Sequence, residues 1–321
     1  MQIMSYFFAA FKLKTLLSAL LTGVLLTACQ SPSGSGGSGG DIIVASKDFT
    51  EQDILGELLA QQIENQTDLK VDRRPRLGGS FVCHQAIVNG KIDAYIEYTG
   101  TAATVSKVFD EQSIPADPKD LFLELQTRYA KNFNLVVMPG LGFENTFAIV
   151  IRGDEAKRLN IQTLSQAAPY SPQWRAGFGY EFAERPDGLP GLAKAYNLQF
   201  AKPPQTMDLG LIYRALLQKQ IDLTAGNSTD GQIARLGFVI LKDDKRYFPP
   251  YEAVPIVRQS TLVKYPQLEA AIAGLKGLVT AAEMQQMNYQ VEGELRDVEE
   301  VVREFLAKKQ RDRPQLLRPQ K

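Results

Sequence analysis

Residues that carry covalent or metal chemistry are scarce in this chain. Among 321 residues there are two cysteines and one histidine. Cys29 falls in a leader segment, so only Cys83 remains in the body and no internal disulfide can form. Disulfide frameworks serve domains too small to bury a core, and roughly 280 residues bury one unaided. Cys83 is therefore expected as a small buried apolar side chain. His84 has no second histidine to share a metal, and zinc sites want three or four ligands. It is expected on a helix surface or at a core edge. Its neighbour Cys83 does not face it on a helix, which excludes a nucleophile–base pair there. HExxH, CxxC and GxxxxGK[ST] are all missing. No metal and no cofactor are expected. Basic and acidic residues both number 36, so overall charge makes no case for a nucleic-acid partner.

What is present begins with targeting. Lys12 and Lys14 precede an apolar run, Leu16 to Leu26, that ends in Leu26-Thr27-Ala28-Cys29. At roughly a dozen residues the run is too short to cross a bilayer. Basic, apolar and small residues in that order read as a secretory signal. Leu-Thr-Ala-Cys resembles a bacterial lipobox. That implies a signal peptide over 1–28, a lipidated Cys29, and export to the membrane surface facing the periplasm or cell exterior. Residues 29–40 end in "SPSGSGGSGG", a flexible leash with a reach of about 17–19 Å. The leash contains a G-x-S-x-G match, but that pattern needs a strand before and a helix after its serine. The basic tail 311–321, with Pro314 and Pro319, reads as frayed and solvated.

From Asp41 the chain alternates short apolar runs with helical periodicity. Ile42-Ile43-Val44-Ala45 reads as a buried strand. Ile54, Leu55, Leu58, Leu59 and Ile63 then carry the spacing of an amphipathic helix. Thr50 stands where its N-cap belongs, with Asp53 three residues on. A strand at Val71, a Gly78-Gly79-Ser80 turn, a helix to Asn89 and a strand Ile92–Tyr98 follow. This alternation predicts an α/β fold with a largely parallel sheet. "AIVNGKIDAYIEYTGT" (86–101) aligns without a gap on "ALLQKQIDLTAGNSTD" (215–230), placing Tyr98 on Asn227. The echo suggests two lobes whose strands end on a shared cleft, where ligands bind in open α/β sheets.

Six stretches occur in order: "SKDFTEQ" (46–52), "LGGS" (77–80), "NGKIDAYIEYTGT" (89–101), "EFAERPDGLPGL" (181–192), "NSTDG" (227–231) and "LKDDKRYFPPYEAVPIVR" (241–258). Together they resemble the substrate-binding proteins of ABC importers for glycine betaine, choline and related osmoprotectants. The resemblance implies a two-lobed type II periplasmic-binding-protein fold, each lobe a mostly parallel sheet flanked by helices. Lobe I would hold 41–144 and 254–310, and lobe II 145–253. Two crossings near 144–148 and 249–254 would join them. It also implies a monomer that hands its solute to a membrane permease driven by a cytoplasmic ATPase.

A quaternary ammonium offers no hydrogen-bond donor, so it is held by the negative faces of rings. A betaine's carboxylate wants Arg, Lys, hydroxyls or helix N-termini. Carried onto this sequence, the resemblance makes Tyr98, Phe147 and Tyr251 the cage rings. Lys47 and Arg185 become cationic grips, and Thr101 a hydroxyl that meets the carboxylate. Gln52, Gly79, Ser80, Asn145, Thr146 and Ser228 complete the implied ligand site. Asn227 stands where the family commonly has an aromatic residue, which suits a hydroxyl or an N–H better than a methyl group. Phe147 keeps a ring where the family shows tyrosine. Other readings stay open: Tyr251 as hinge packing, Arg185 as a surface bridge to Asp187, and Glu97 as a general acid or base or a strand residue turned away from Tyr98. An exported enzyme or a solute sensor would use the same cleft.

Overall fold

The computed structural model describes residues 40–110 and 113–312. The leader, Cys29, the leash up to Gly39 and the tail beyond Asp312 lie outside the described residues. Four strands come first: β1 (Ile42–Lys47), β2 (Val71–Gly78), β3 (Ala94–Tyr98) and β4 (Leu135–Val137). Then come β5 (Phe147–Arg152), β6 (Ala176–Phe178), β7 (Gln205–Thr206), β8 (Leu223–Asn227) and β9 (Phe238–Leu241). The last strand, β10 (Ala253–Arg258), returns to the first group. Two five-stranded sheets result, ordered β2-β1-β3-β10-β4 and β7-β6-β8-β5-β9. In each, three parallel strands are followed by one that runs antiparallel to its neighbours, β10 in one and β5 in the other.

The central strands are apolar on both faces because helices cover both, whereas the edge strands β2 and β7 are polar and largely exposed. Ala94 and Ile96 of β3 enter one core and Tyr95 between them enters another. In the second sheet Ile149 and Ile151 of β5 face one core, and Ala148 and Val150 face the other. The helix Thr50–Gln66 shows why its sequence folds there. Ile54, Leu55, Leu58, Leu59 and Ile63 are all 0% exposed. Each such burial contributes about 1.5–3 kcal/mol. The start of this helix corrects the expectation from sequence: Phe49 is the N-cap, without a side-chain bond, and Thr50 is the first helical residue. Phe49 packs against the core, and the helix begins one residue too early for Thr50 to cap it. Asp53 instead pairs with Arg76 at 2.7 Å. Cys83 is buried, as expected, and burial pushes its thiol up to about 12. His84 lies in the core, edge-on to Phe133 and Tyr129, and burial lowers its pKa.

Two crossing segments join the sheets and run side by side. Glu144 and Glu252 form an antiparallel bridge. Asn145 N donates to Tyr251 O at 3.0 Å and Ala253 N to Phe143 O at 3.1 Å. The Thr99-Gly100 step after β3 clamps the returning segment. Thr99 Oγ1 donates to Pro250 O at 3.0 Å and accepts from Glu252 N at 3.1 Å. A Cβ on Gly100 would lie 2.7 Å from both Pro250 O and the Tyr251 ring. Only glycine lets the crossing approach so closely. Among the described residues no helix is long and apolar enough to cross a membrane.

Candidate functional site

The parallel strands of both sheets end at one cleft. Its cavity is about 110 Å³, whereas a single water needs only ~10–15 Å³ on the same measure. Room for a small solute follows. Lys47 enters from the end of β1, and Tyr98 and Thr101 from the end of β3 and the helix after it. Asn145, Phe147 and Tyr251 line it from the crossings, and Arg185 and Asn227 from the second lobe. Eight of the residues singled out from sequence are thus brought together. The other five stand behind this wall. Gly79 and Ser80 lie behind Lys47, where Ser80 Oγ accepts from Lys47 Nζ at 3.2 Å. Thr146 and Ser228 bond each other, with Ser228 N donating to Thr146 O at 2.9 Å. Gln52 is fully buried, and neither of its amide atoms has a hydrogen-bond partner among the described residues.

The rings meet as a cluster. Phe147 lies 4.9 Å from Phe182 and 5.8 Å from Tyr251, both edge-on. Tyr251 is buried and its hydroxyl donates to Asp187 Oδ2 at 2.7 Å. Tyr98 is held from behind, its hydroxyl donating to Glu51 Oε1 at 2.6 Å. Lys47 Nζ stands 4.4 Å from the Tyr98 centroid and the Arg185 guanidinium 5.0 Å from that of Phe147. The protein's own cations therefore already use these ring faces in the way a bound ammonium would.

Both cations are also paired with acids. Lys47 Nζ is 2.5 Å from Glu97 Oε1, with both side chains buried. Arg185 grips Asp187 through two nitrogens and reaches Thr101 Oγ1 of the first lobe at 3.1 Å. This bridge to Asp187 is buried, not a surface pair. Glu97 is the counter-ion of Lys47 and no nearer to an acid–base role. A carboxylate from the second lobe, Glu181, accepts from the Ser80 backbone N and from Ser80 Oγ at 3.1 Å. Asp48 and Asp208 line the cleft as well. Two cations, Lys47 and Arg185, thus face five carboxylates: Asp48, Glu97, Glu181, Asp187 and Asp208. The site favours positive charge.

Reading by sequence missed Glu51 and Glu181. Glu51 is buried and accepts from Tyr98, from Asn145 Nδ2 at 2.9 Å, from Asn288 Nδ2 at 3.0 Å and from Thr229 Oγ1. Burial raises its pKa, and the four donors pull it back. Asn227 is oriented by Asp230, whose Oδ2 accepts from Asn227 N at 2.8 Å. Burial pushes Asp230 up to about 7. Both missed acids lie inside motifs already singled out, "SKDFTEQ" and "EFAERPDGLPGL".

Comparison with known proteins agrees with this architecture. The chain is 36% identical over 292 residues to a carnitine transport binding protein of Listeria monocytogenes, covering 90% of this chain and 93% of that one. It is 34% identical over 266 residues to an ergothioneine transport permease/ergothioneine binding protein of Helicobacter pylori, covering 83% of this chain and 47% of the relative. A solved glycine betaine/carnitine/choline ABC transporter structure superposes with a TM-score of 0.69 at 31% identity, over 83% of this chain and 98% of that one. Residues 40–308 match the substrate binding domain of ABC-type glycine betaine transport systems. The chain belongs to that family of ABC importer substrate-binding domains.

Proposed function

We propose that this protein captures a small quaternary-amine or zwitterionic osmolyte between its lobes and delivers it to a permease driven by a cytoplasmic ATPase. The observation that carries the reading is the set of Tyr98, Phe147 and Tyr251 rings around a cavity rich in carboxylates. A methylated ammonium gains about 0.5–2 kcal/mol from each ring it meets. Arg185 to Thr101, Thr229 to Glu51 and Ser80 to Glu181 are bonds that require the lobes to be closed. Capture is a hinge shift toward that closed state. The protein acts as a carrier and turns nothing over: Lys47 and Glu97, the pair a catalytic reading would use, are ion-paired with each other. Export and a lipid on Cys29 belong to this proposal, because a carrier tethered near the permease finds it faster.

A thermal-shift screen of choline, glycine betaine, carnitine, ergothioneine, ectoine and amino acids tests it. A true ligand at a hundred times its dissociation constant adds about 2.7 kcal/mol, or roughly 5–10 °C in melting temperature. Phe147→Leu keeps bulk and removes the ring. A tenfold weaker ligand should halve that stabilisation. A screen in which only unrelated compound classes shift the protein defeats the proposal. Asn227 favours, within this class, a ligand that carries an O–H or N–H for the amide to meet.

A further inference from the structure

We propose that Glu181 sets the charge of the ligand, making this a site for a cation with a neutral polar group and a poor site for a zwitterion. The inference rests on the ligand class proposed above and narrows it. A betaine's carboxylate needs free donors. Three sources of them converge here: Lys47 and Arg185, which line the cleft, and behind Lys47 the N-terminus of the helix Ser80–Val88. Each is taken by an acid of the protein.

Lys47 is paired with Glu97 and Arg185 with Asp187. The Ser80 backbone N and hydroxyl, the natural anion seat of that helix, are filled by Glu181. Ser80 Oγ accepts from Lys47 Nζ at 3.2 Å and donates to Glu181 Oε2 at 3.1 Å. Arg185 Nη1 stands 3.6 Å from the same Glu181 oxygen. Glu181 thus sits where the first lobe's lysine, the second lobe's arginine and the helix N-terminus converge. A ligand carboxylate would be a second anion at that point. Gly79 is part of the same device: a Cβ there would lie 2.3 Å from Glu181 Oε1 and would push the carboxylate from this position. Asp48 and Asp208 line the cleft too, and among the described residues no ion pair neutralises either. An ammonium therefore meets rings and the carboxylates of Asp48 and Asp208, the latter accepting from Gly210 N at 2.8 Å, while a carboxylate meets cations already paired with acids.

Titration calorimetry on the purified protein, with choline, glycine betaine and carnitine in parallel, tests the idea. Choline should bind at least about tenfold tighter than either zwitterion, since like charge at close range costs more than a decade of affinity. Glu181→Gln removes the charge and keeps an oxygen for the Ser80 N–H. In that variant the choline-to-betaine ratio should fall about tenfold, with an unchanged melting temperature for the unliganded protein. Glu181→Ala, which empties the anion seat, should lower the ratio further if it folds. A wild-type protein that prefers betaine, or a ratio unmoved in Glu181→Gln, overturns this inference alone. A protein that binds no quaternary amine overturns the ligand class and this inference together.

Discussion

At matching places in the two sheets, β3 ends in Tyr98 and β8 ends in Asn227. Behind each strand end lies an acid that accepts from a tyrosine hydroxyl: the buried Glu51 from Tyr98, and the half-buried Asp230 from Tyr213. The difference is where the tyrosine comes from. In the first lobe it is the strand's own last residue, and its ring forms part of the cleft wall. In the second it comes from the helix Leu209–Leu217 behind the sheet, and Gly226 makes room for its hydroxyl. The cleft there receives an amide. The donors differ as well. Glu51 gathers Tyr98, Asn145, Thr229 and Asn288 from four separate segments, whereas Asp230 takes its bonds from Tyr213 and the nearby Asn227. One strand plan thus carries a ring held by a long-range hub on one side and a locally held amide on the other.

Breaking the hub should have the largest effect. Glu51→Ala leaves the Tyr98, Asn145 and Thr229 donors without this acceptor while Asn288 keeps Thr229 O, and each unsatisfied buried donor costs about 1–3 kcal/mol. Urea unfolding should show that loss; a change under about 1 kcal/mol would mean the four bonds add little.

The second lobe's acid should reveal itself through pH. Unfolded, Asp230 titrates near 4; burial holds it near 7 in the fold, with Glu292 and Glu51 adding to the rise and Tyr213 and the Asn227 N–H opposing it. The folded state therefore keeps a proton that the unfolded state has lost, so stability falls as pH rises from 4 to 7 and levels off above. Between pH 5 and 7 this amounts to roughly 2–3 kcal/mol. Asp230→Asn should flatten that part of the curve, measured as urea midpoints at the two pH values. Parallel curves for the two proteins would place the proton elsewhere.

The smallest effect should come from making the lobes alike. Asn227→Tyr gives β8 the same final residue as β3. A further ring should tighten fully methylated ammonium ligands by about 0.5–1.5 kcal/mol, read by calorimetry. Weaker binding would show that the Asn227 wall does not face the ammonium.

Much of the fold was legible because burial leaves a period in the sequence. Ile54, Leu55, Leu58, Leu59 and Ile63 marked a helix, and all five are buried. The echo of 86–101 in 215–230 reflected a real equivalence, since β3 and β8 hold the same place in their sheets. The capping of that first helix was misread because Phe49, an apolar residue, takes the N-cap for the sake of the core. Residue types at the cleft were legible too, but not their pairing. Glu97 lies 50 residues from Lys47, and Asn288 lies 237 residues from Glu51. No local pattern couples residues so distant.

The sequence by itself determined the alternating elements, the two matching halves and the rings and charges available to a cleft. These follow from local periodicity and side-chain chemistry, which each segment carries alone. The tertiary structure decided which charges are free. Lys47 read as an open grip in the chain and stands paired in the fold, because Glu97 is buried against it; for Arg185 the bridge to Asp187, one of the two readings, is the one formed, and it is buried. A charge buried at low dielectric must find its counter-ion nearby, and only packing determines which one comes within reach.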